Sequence, residues 1–165
     1  MQEITCFKAY DVRGRIPDQL NEEIAYRIGQ AYAAFIKPKE VVVGFDIRLS
    51  SKSLCEALIR GLTDSGVDVS NIGQCGTEEI YFATSFLGVD GGIVVTASHN
   101  PKDYNGIKFV RENSKPVSAD TGLVEIRQLA EKNEFDMASK KGRVSQVDVK
   151  KDYIKHLLSY VDINN

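Results

Sequence analysis

Short β-branched runs alternate along this chain with longer stretches whose apolar residues recur every three or four positions, and few architectures satisfy that alternation. The first run is Val41-Val42-Val43-Gly44-Phe45; residues 67–72 and 92–95 form two more. Each has the length of a strand and is apolar enough to be buried on both faces. Ahead of them, Ile24, Ile28, Ala31, Tyr32 and Phe35 fall at helical spacing, which predicts a helix capped by Asn21 or Asp18 and stopped by Lys37-Pro38. A second helix, beginning at Ser50 or Ser51, carries Leu54, Ala57, Leu58, Gly61 and Leu62 on one face and ends at Gly66. A third starts at Thr77-Glu78-Glu79, where two carboxylates suit the positive end of a helix. The expected fold class is α/β: three layers, α/β/α, around a mixed, mostly parallel sheet.

The strand expected at residues 106–110 follows the previous one too closely for a helical crossover, so it should run antiparallel. Ser118 is expected to open a helix through Leu123, Ile126, Leu129 and Ala130, and the polar, lysine-rich residues 132–143 read as a surface connection. From about residue 150 helical spacing returns at Tyr153, Ile154, Leu157, Leu158 and Val161, with no evident partner for that face. The chain stops directly afterwards, which looks like a cut.

At 165 residues the chain fits one domain. A domain of that size buries roughly two-thirds of its unfolded surface, so an independent core is feasible. A hydrophobic content of 42%, a charged content of 27% and a net charge of -2 describe an ordinary globule without the basic stripe that nucleic acid requires. No apolar run approaches the length of a membrane span, and residues 1–5 lack a basic and then apolar leader, so a cytoplasmic location is expected. Cys6, Cys55 and Cys75 are odd in number and far apart, which argues against both a disulfide framework and a closely spaced zinc motif. Cys55 falls among apolar helix positions as a small core residue.

The chemistry concentrates in Thr96-Ala97-Ser98-His99-Asn100-Pro101, which leaves the C-terminal end of the strand at 92–95. In open α/β sheets that edge is where ligands bind. The segment reads either as a polar turn, since Ser, Asn and Pro are common loop residues, or as a reactive loop. A Ser-His-Asp hydrolase fits poorly: the glycines expected two residues either side of the serine are Thr96 and Asn100, and His99 directly follows Ser98, an awkward place for an in-line hydrogen bond. Gly91-Gly92 reads as a turn, and no strand–helix junction carries a P-loop or dinucleotide fingerprint. Arg13, Arg48, Lys102 and Lys108 taken singly are ordinary surface charges. Arg48, however, leaves the strand that ends at Phe45, and Lys108 lies ten residues after Ser98. Both are expected at one sheet edge, as a positive rim around a hydroxyl that suits a phosphate. The segment Phe7-Lys8-Ala9-Tyr10-Asp11-Val12-Arg13-Gly14 reads as a strand with a glycine turn, or as a sugar-facing Tyr10 beside a phosphate-forking Arg13.

At these segments the chain resembles the α-D-phosphohexomutase superfamily, and within it the bacterial mannomutase branch of the GDP-mannose pathways. The resemblance rests on residues 96–101 with their extension Tyr104-Asn105-Gly106-Ile107-Lys108, on residues 7–14, on Gly44-Phe45-Asp46-Ile47-Arg48 and on Gly76-Thr77-Glu78-Glu79-Ile80-Tyr81-Phe82-Ala83, and it runs over essentially the whole chain. Glu78 stands where many relatives have proline and suits the mannomutase branch. The resemblance implies an enzyme of four domains, with residues 1–147 as the phosphoserine domain and residues 148–165 as a helix and linker leading to a second domain. The metal-binding Asp-Gly-Asp-x-Asp-Arg motif of that second domain is absent from this sequence, as are the later sugar-recognition and phosphate loops.

For the site, the resemblance implies that Ser98 is a phosphoserine whose phosphoryl oxygen completes a Mg²⁺ site, the other metal ligands lying outside this chain. It implies that His99 and Lys108 assist proton transfer jointly, that Tyr10 and Arg13 line the sugar-phosphate cleft, and that Asn100 shapes the phosphoserine loop on the substrate side. The implied reaction interconverts mannose 6-phosphate and mannose 1-phosphate through a bisphosphate, with glucose or mannose 1,6-bisphosphate as activator. The implied partners are a phosphosugar substrate and the remaining domains of the same polypeptide, and the isolated domain is expected to be inactive. Phosphoglucomutase, dual-specificity and phosphoglucosamine mutase activities remain as alternatives. From a different class, so does a non-catalytic module that binds a phosphosugar or a protein.

Overall fold

The computed structural model describes residues 3–162. The readings made at the two ends, the missing leader at residues 1–2 and the stop at residues 163–165, fall outside that range. One six-stranded sheet runs through the molecule in the order β1 (Val12–Arg15), β5 (Tyr104–Arg111), β4 (Gly91–Val95), β2 (Glu40–Phe45), β3 (Asp68–Gln74) and β6 (Val144–Gln146). β4, β2, β3 and β6 run parallel to one another, whereas β5 runs antiparallel to both β4 and β1. The sheet is therefore mixed and mostly parallel, as the sequence led one to expect.

Among the described residues five α-helices accompany it: α1 (Glu22–Ile36), α2 (Ser51–Asp64), α3 (Thr77–Leu87), α4 (Leu123–Lys132) and α5 (Lys150–Leu158). The two faces follow from the two-residue period of the strands. Val41 and Val43 of β2, with Ile93 and Val95 of β4, face a core that also holds Ile28, Leu58, Leu62 and Ile126 of α1, α2 and α4. The alternate residues Val42 and Val94 face a smaller core with Ile80 and Ala83 of α3. β2 and β4 bury both faces, which is why these runs read as continuous apolar sequence rather than as alternation. α1 and α2 meet backbone to backbone: a Cβ on Gly29 would run into the Leu58 carbonyl oxygen, and one on Gly61 into that of Tyr26. Of the two candidate caps for α1, Asn21 is the one used; its side chain accepts a hydrogen bond from Ile24 N at 3.0 Å. Lys37, left-handed at φ 54°, ends the helix.

Three local readings need correction, and one strand has no counterpart in the sequence reading. Gly91 and Gly92 form no turn; they are buried residues of β4. A Cβ at Gly91 would meet the Tyr32 hydroxyl and the Val110 carbonyl, and one at Gly92 would meet Thr84 of α3, so glycine is required by close packing on each face. Ser118 opens only a single 3-10 turn, Ala119–Thr121, because Gly122 at φ 128° breaks the backbone before α4 begins at Leu123. In residues 7–14 only Val12 onward is strand; Phe7 makes a lone bridge to Val12, and Gly14 sits inside β1. Finally, β6 adds a strand immediately after the lysine-rich connection, all three of its residues exposed.

α5 rests on α3 through rings: Tyr153 and His156 lie 5.4 Å and 4.9 Å from Phe82. Its Ile154, Leu157 and Leu158 stay exposed, as does Val161 beyond its end. No helix among the described residues is long and apolar enough to cross a membrane. All three cysteines are buried free thiols.

Candidate active site

β4 delivers the chain to the carboxyl edge of the sheet, and the next residues are fixed one by one. Thr96 N donates to the Gly106 carbonyl at 2.9 Å, keeping this point tied to β5. The chain then turns: Ser98 N donates to Thr96 Oγ1 at 3.0 Å, while Asn100 N and Nδ2 both donate to the Ala97 carbonyl, at 3.0 and 2.9 Å. Asn100 thus shapes the loop directly. The turn places Ser98 at φ 52°, a left-handed conformation for a non-glycine residue. Such a conformation costs on the order of 1 kcal/mol and is held only by its surroundings. Ser98 and His99 are both exposed. Their adjacency does not keep them apart: Ser98 Oγ lies 3.3 Å from His99 Nδ1. Extended backbone sends neighbouring side chains to opposite sides, and the left-handed turn at Ser98 departs from that geometry.

Arg48 reaches this loop from the connection between β2 and α2, but not as a free member of a phosphate rim. Its guanidinium donates four hydrogen bonds to loop carbonyls: Nη2 to Ser98 at 2.8 Å and Asn100 at 2.6 Å, Nη1 to Pro101 at 2.8 Å and Tyr104 at 3.0 Å. Asp46 stands behind it, with Oδ2 3.6 Å from Nε and Oδ1 accepting from Arg48 N at 3.0 Å and from Ser51 Oγ. The fully buried Asn105 closes this network, donating to Ser50 Oγ and Ser51 Oγ at 2.8 and 2.9 Å and accepting from Gly106 N at 2.8 Å.

The other cations gather on β1 and β5. Val12 pairs with Ile107, and both face the larger core, so their neighbours face the other side. On that side Lys108 stands opposite Val94, and Arg13 stands opposite Gly106. Asp11, one step beyond the Val12 pair, ties the two cations together. Its Oδ2 accepts from Arg13 Nη2 at 2.7 Å and from Lys108 Nζ at 2.8 Å, and its side chain is only 8% exposed. Thr96 continues the alternation from Val94, so the serine loop leaves the sheet from this same face.

Ser98, Asn100, Arg48, Asp46 and Lys102 line one open groove of about 390 Å³, with Ile47 and Leu49 exposed on its wall. Lys108 and Arg13 do not line it; they form the ion-paired cluster on the sheet face. Tyr10 is 77% exposed and belongs to neither group. A larger cleft, about 580 Å³, opens between α3 and α5 around Phe82, Phe86, Tyr153 and Leu157, but none of the candidate catalytic or substrate-binding residues lines it. Two organising residues escaped the sequence reading. Asp11 lies two positions before Arg13, next to the start of β1, and Asp46 lies two before Arg48 in the turn after β2, where its Oδ1 accepts from Arg48 N.

The sequence pattern of the family described as "Phosphoglucomutase/phosphomannomutase, alpha/beta/alpha domain I" matches residues 5–137. An Escherichia coli protein named "Phosphomannomutase" is 59% identical over 167 residues, a match covering 100% of this chain and 37% of that protein. A Klebsiella pneumoniae protein of the same name is 60% identical over 156 residues, covering 93% of this chain and 99% of that one. Among solved structures, a phosphoglucomutase/phosphomannomutase family protein from Burkholderia thailandensis superposes with a TM-score of 0.89 at 33% identity, over 100% of this chain and 38% of that one. The chain thus spans a little over a third of the length of the Escherichia coli relative it matches.

Proposed function

The chain belongs to the phosphoglucomutase/phosphomannomutase family, whose α/β/α domain I it matches, and from that premise we propose that it carries the phosphoryl relay of a phosphomannomutase. In this reading residues 1–147 are the phosphoserine domain, and residues 148–165 lead to further domains of the same polypeptide. The relay oxygen is Ser98 Oγ. A phosphorylated Ser98 transfers its phosphoryl group to the free anomeric hydroxyl of mannose 6-phosphate. The bisphosphate turns over, returns its other phosphoryl group to Ser98 Oγ and leaves as mannose 1-phosphate, a precursor of GDP-mannose. Glucose or mannose 1,6-bisphosphate primes the serine in the same way.

The observation that carries the proposal is the conformation of Ser98. An exposed hydroxyl is held left-handed at the carboxyl edge of a mostly parallel sheet by a loop four of whose carbonyls accept from Arg48. A polar turn has no need of a strained serine and a dedicated cation. His99 Nδ1, 3.3 Å from Oγ, is the proton carrier nearest to the reacting oxygen, and Lys108 shares that task. Arg13 and Lys108, anchored by Asp11, supply the positive charge that a phosphosugar needs, and Tyr10 lines the sugar side.

A bound Mg²⁺ would offset part of the charge on the transferring phosphoryl group. Among the described residues no group of three or more His, Cys, Asp or Glu side chains gathers to hold a metal. Phosphorylated Ser98 would contribute one oxygen, and the remaining ligands would come from outside these residues. The quoted curated relatives carry the mannomutase name, which favours mannose phosphates over glucose and glucosamine phosphates. The test is turnover of mannose 6-phosphate by the full-length polypeptide, beside glucose and glucosamine phosphates. Ser98→Ala should lower the rate by several orders of magnitude; near-wild-type turnover in that variant would remove Ser98 from the reaction.

A further inference from the structure

We propose that Arg48, backed by Asp46, is the positioning residue of the serine loop: it acts by holding the loop carbonyls and makes no contact with the phosphosugar. The proposal rests on the relay reading of Ser98 and extends it to the residue that sets the loop's shape.

The geometry leaves Arg48 little else to do. A guanidinium has five N–H donors in a rigid planar fork. Four bonds here go to the carbonyls of Ser98, Asn100, Pro101 and Tyr104, and Nε faces Asp46 Oδ2 at 3.6 Å. The contacted carbonyls span seven consecutive residues, from Ser98 to Tyr104, so a single side chain ties both ends of the excursion between β4 and β5 together. Hydrogen bonds to a charged donor are roughly twice as strong as neutral ones. Arg48 is also nearly buried, its side chain 14% exposed, which limits competition from water.

The clamp is itself held in place. Asp46 Oδ1 accepts from Arg48 N and from Ser51 Oγ, and Ser51 in turn accepts from the buried Asn105 on β5. The connection after β2, the start of α2 and the root of β5 therefore form one hydrogen-bonded unit around the loop. Ser98 has no glycine's freedom at φ 52°, and its own carbonyl is one of those that Arg48 holds. The clamp thus acts on the strained residue directly. Loss of the fork would let Ser98 relax toward ordinary backbone and carry Oγ out of line with its phosphoryl partner. Misplacement by about 1 Å is enough to cost about a hundredfold in rate.

The experiment uses the full-length polypeptide and three variants: Arg48→Met, which removes the donors; Arg48→Lys, which keeps the charge but not the fork; and Asp46→Asn. Two readouts are needed. Amide hydrogen exchange in the peptide covering residues 97–105 should accelerate by about tenfold or more in Arg48→Met and less in Arg48→Lys, with exchange in β4 unchanged. Steady-state kinetics on mannose 6-phosphate should show kcat lower by about a hundredfold in Arg48→Met, with KM within about threefold of wild type. Arg48→Lys should recover part of that loss, and Asp46→Asn should fall between Arg48→Lys and wild type.

Loop exchange equal to wild type in the Arg48 variants overturns the proposal. So does a raised KM at constant kcat, which would make Arg48 a phosphate ligand, and so does faster exchange with kcat unchanged. If Arg48→Met does not fold, Arg48→Lys decides by the same criteria. Absence of wild-type turnover would sink the relay reading alone, since hydrogen exchange decides for or against the clamp without it.

Discussion

Lys108 Nζ lies 2.8 Å from Asp11 Oδ2, joining two residues 97 positions apart in the chain. Arg13 Nη2 approaches the same oxygen at 2.7 Å, so one buried carboxylate anchors both cations of the sheet face. Asp11→Ala should therefore leave two like charges side by side without a counter-ion. Breaking a fully buried pair costs about 3–5 kcal/mol; about 1–3 is expected here because both cations keep contact with water. Each kcal/mol corresponds to about 2–4 °C in Tm for a domain of this size. Thermal unfolding that matches wild type would contradict the anchoring role.

The conformation of Ser98 separates stability from chemistry. Glycine adopts φ 52° without a Cβ penalty, whereas alanine keeps the strain. Ser98→Gly should thus be more stable than Ser98→Ala by about 0.5–1 kcal/mol, although both lose the relay oxygen. Denaturant unfolding midpoints should follow that order; a more stable alanine variant would argue against strain at this position.

Burial pushes the thiols of Cys6, Cys55 and Cys75 up to about 12 from their ordinary 9.0. A pKa raised by folding gives stability that is complete below the unfolded value and lost as pH rises from about 9 toward 12. The protein should accordingly lose stability in alkali across that window, and its thiols should react with a disulfide reagent at pH 8 only as fast as it unfolds. Prompt labelling of the native protein would mean that at least one thiol is accessible.

Most of the architecture could be read from the chain because both sheet faces are buried, so β2 and β4 appear as unbroken apolar runs and α1 and α2 as clean helical stripes. What escaped lacks that signature. β6 pairs with β3 at the sheet edge and all three of its residues are exposed, so no burial pattern marks it in the sequence. Gly91 and Gly92 look like a turn locally, and only Tyr32 and Thr84, both distant in sequence, explain why they are glycine in a strand. At the candidate site the loop of Ser98 and its neighbours could be located from composition and resemblance. The task of Arg48 could not, because a guanidinium that binds phosphate and one that binds carbonyls look the same in sequence.

The phosphoryl relay requires that Ser98 Oγ take up and give back a phosphoryl group. The full-length polypeptide is incubated with mannose 1,6-bisphosphate and analysed by intact-protein and peptide mass spectrometry. The modified protein is then mixed with mannose 6-phosphate. One phosphoryl group should appear on the peptide containing Ser98, never on Ser98→Ala, and should be discharged when the monophosphate is added. An unmodified Ser98 peptide in an enzyme that still interconverts the mannose phosphates would contradict it.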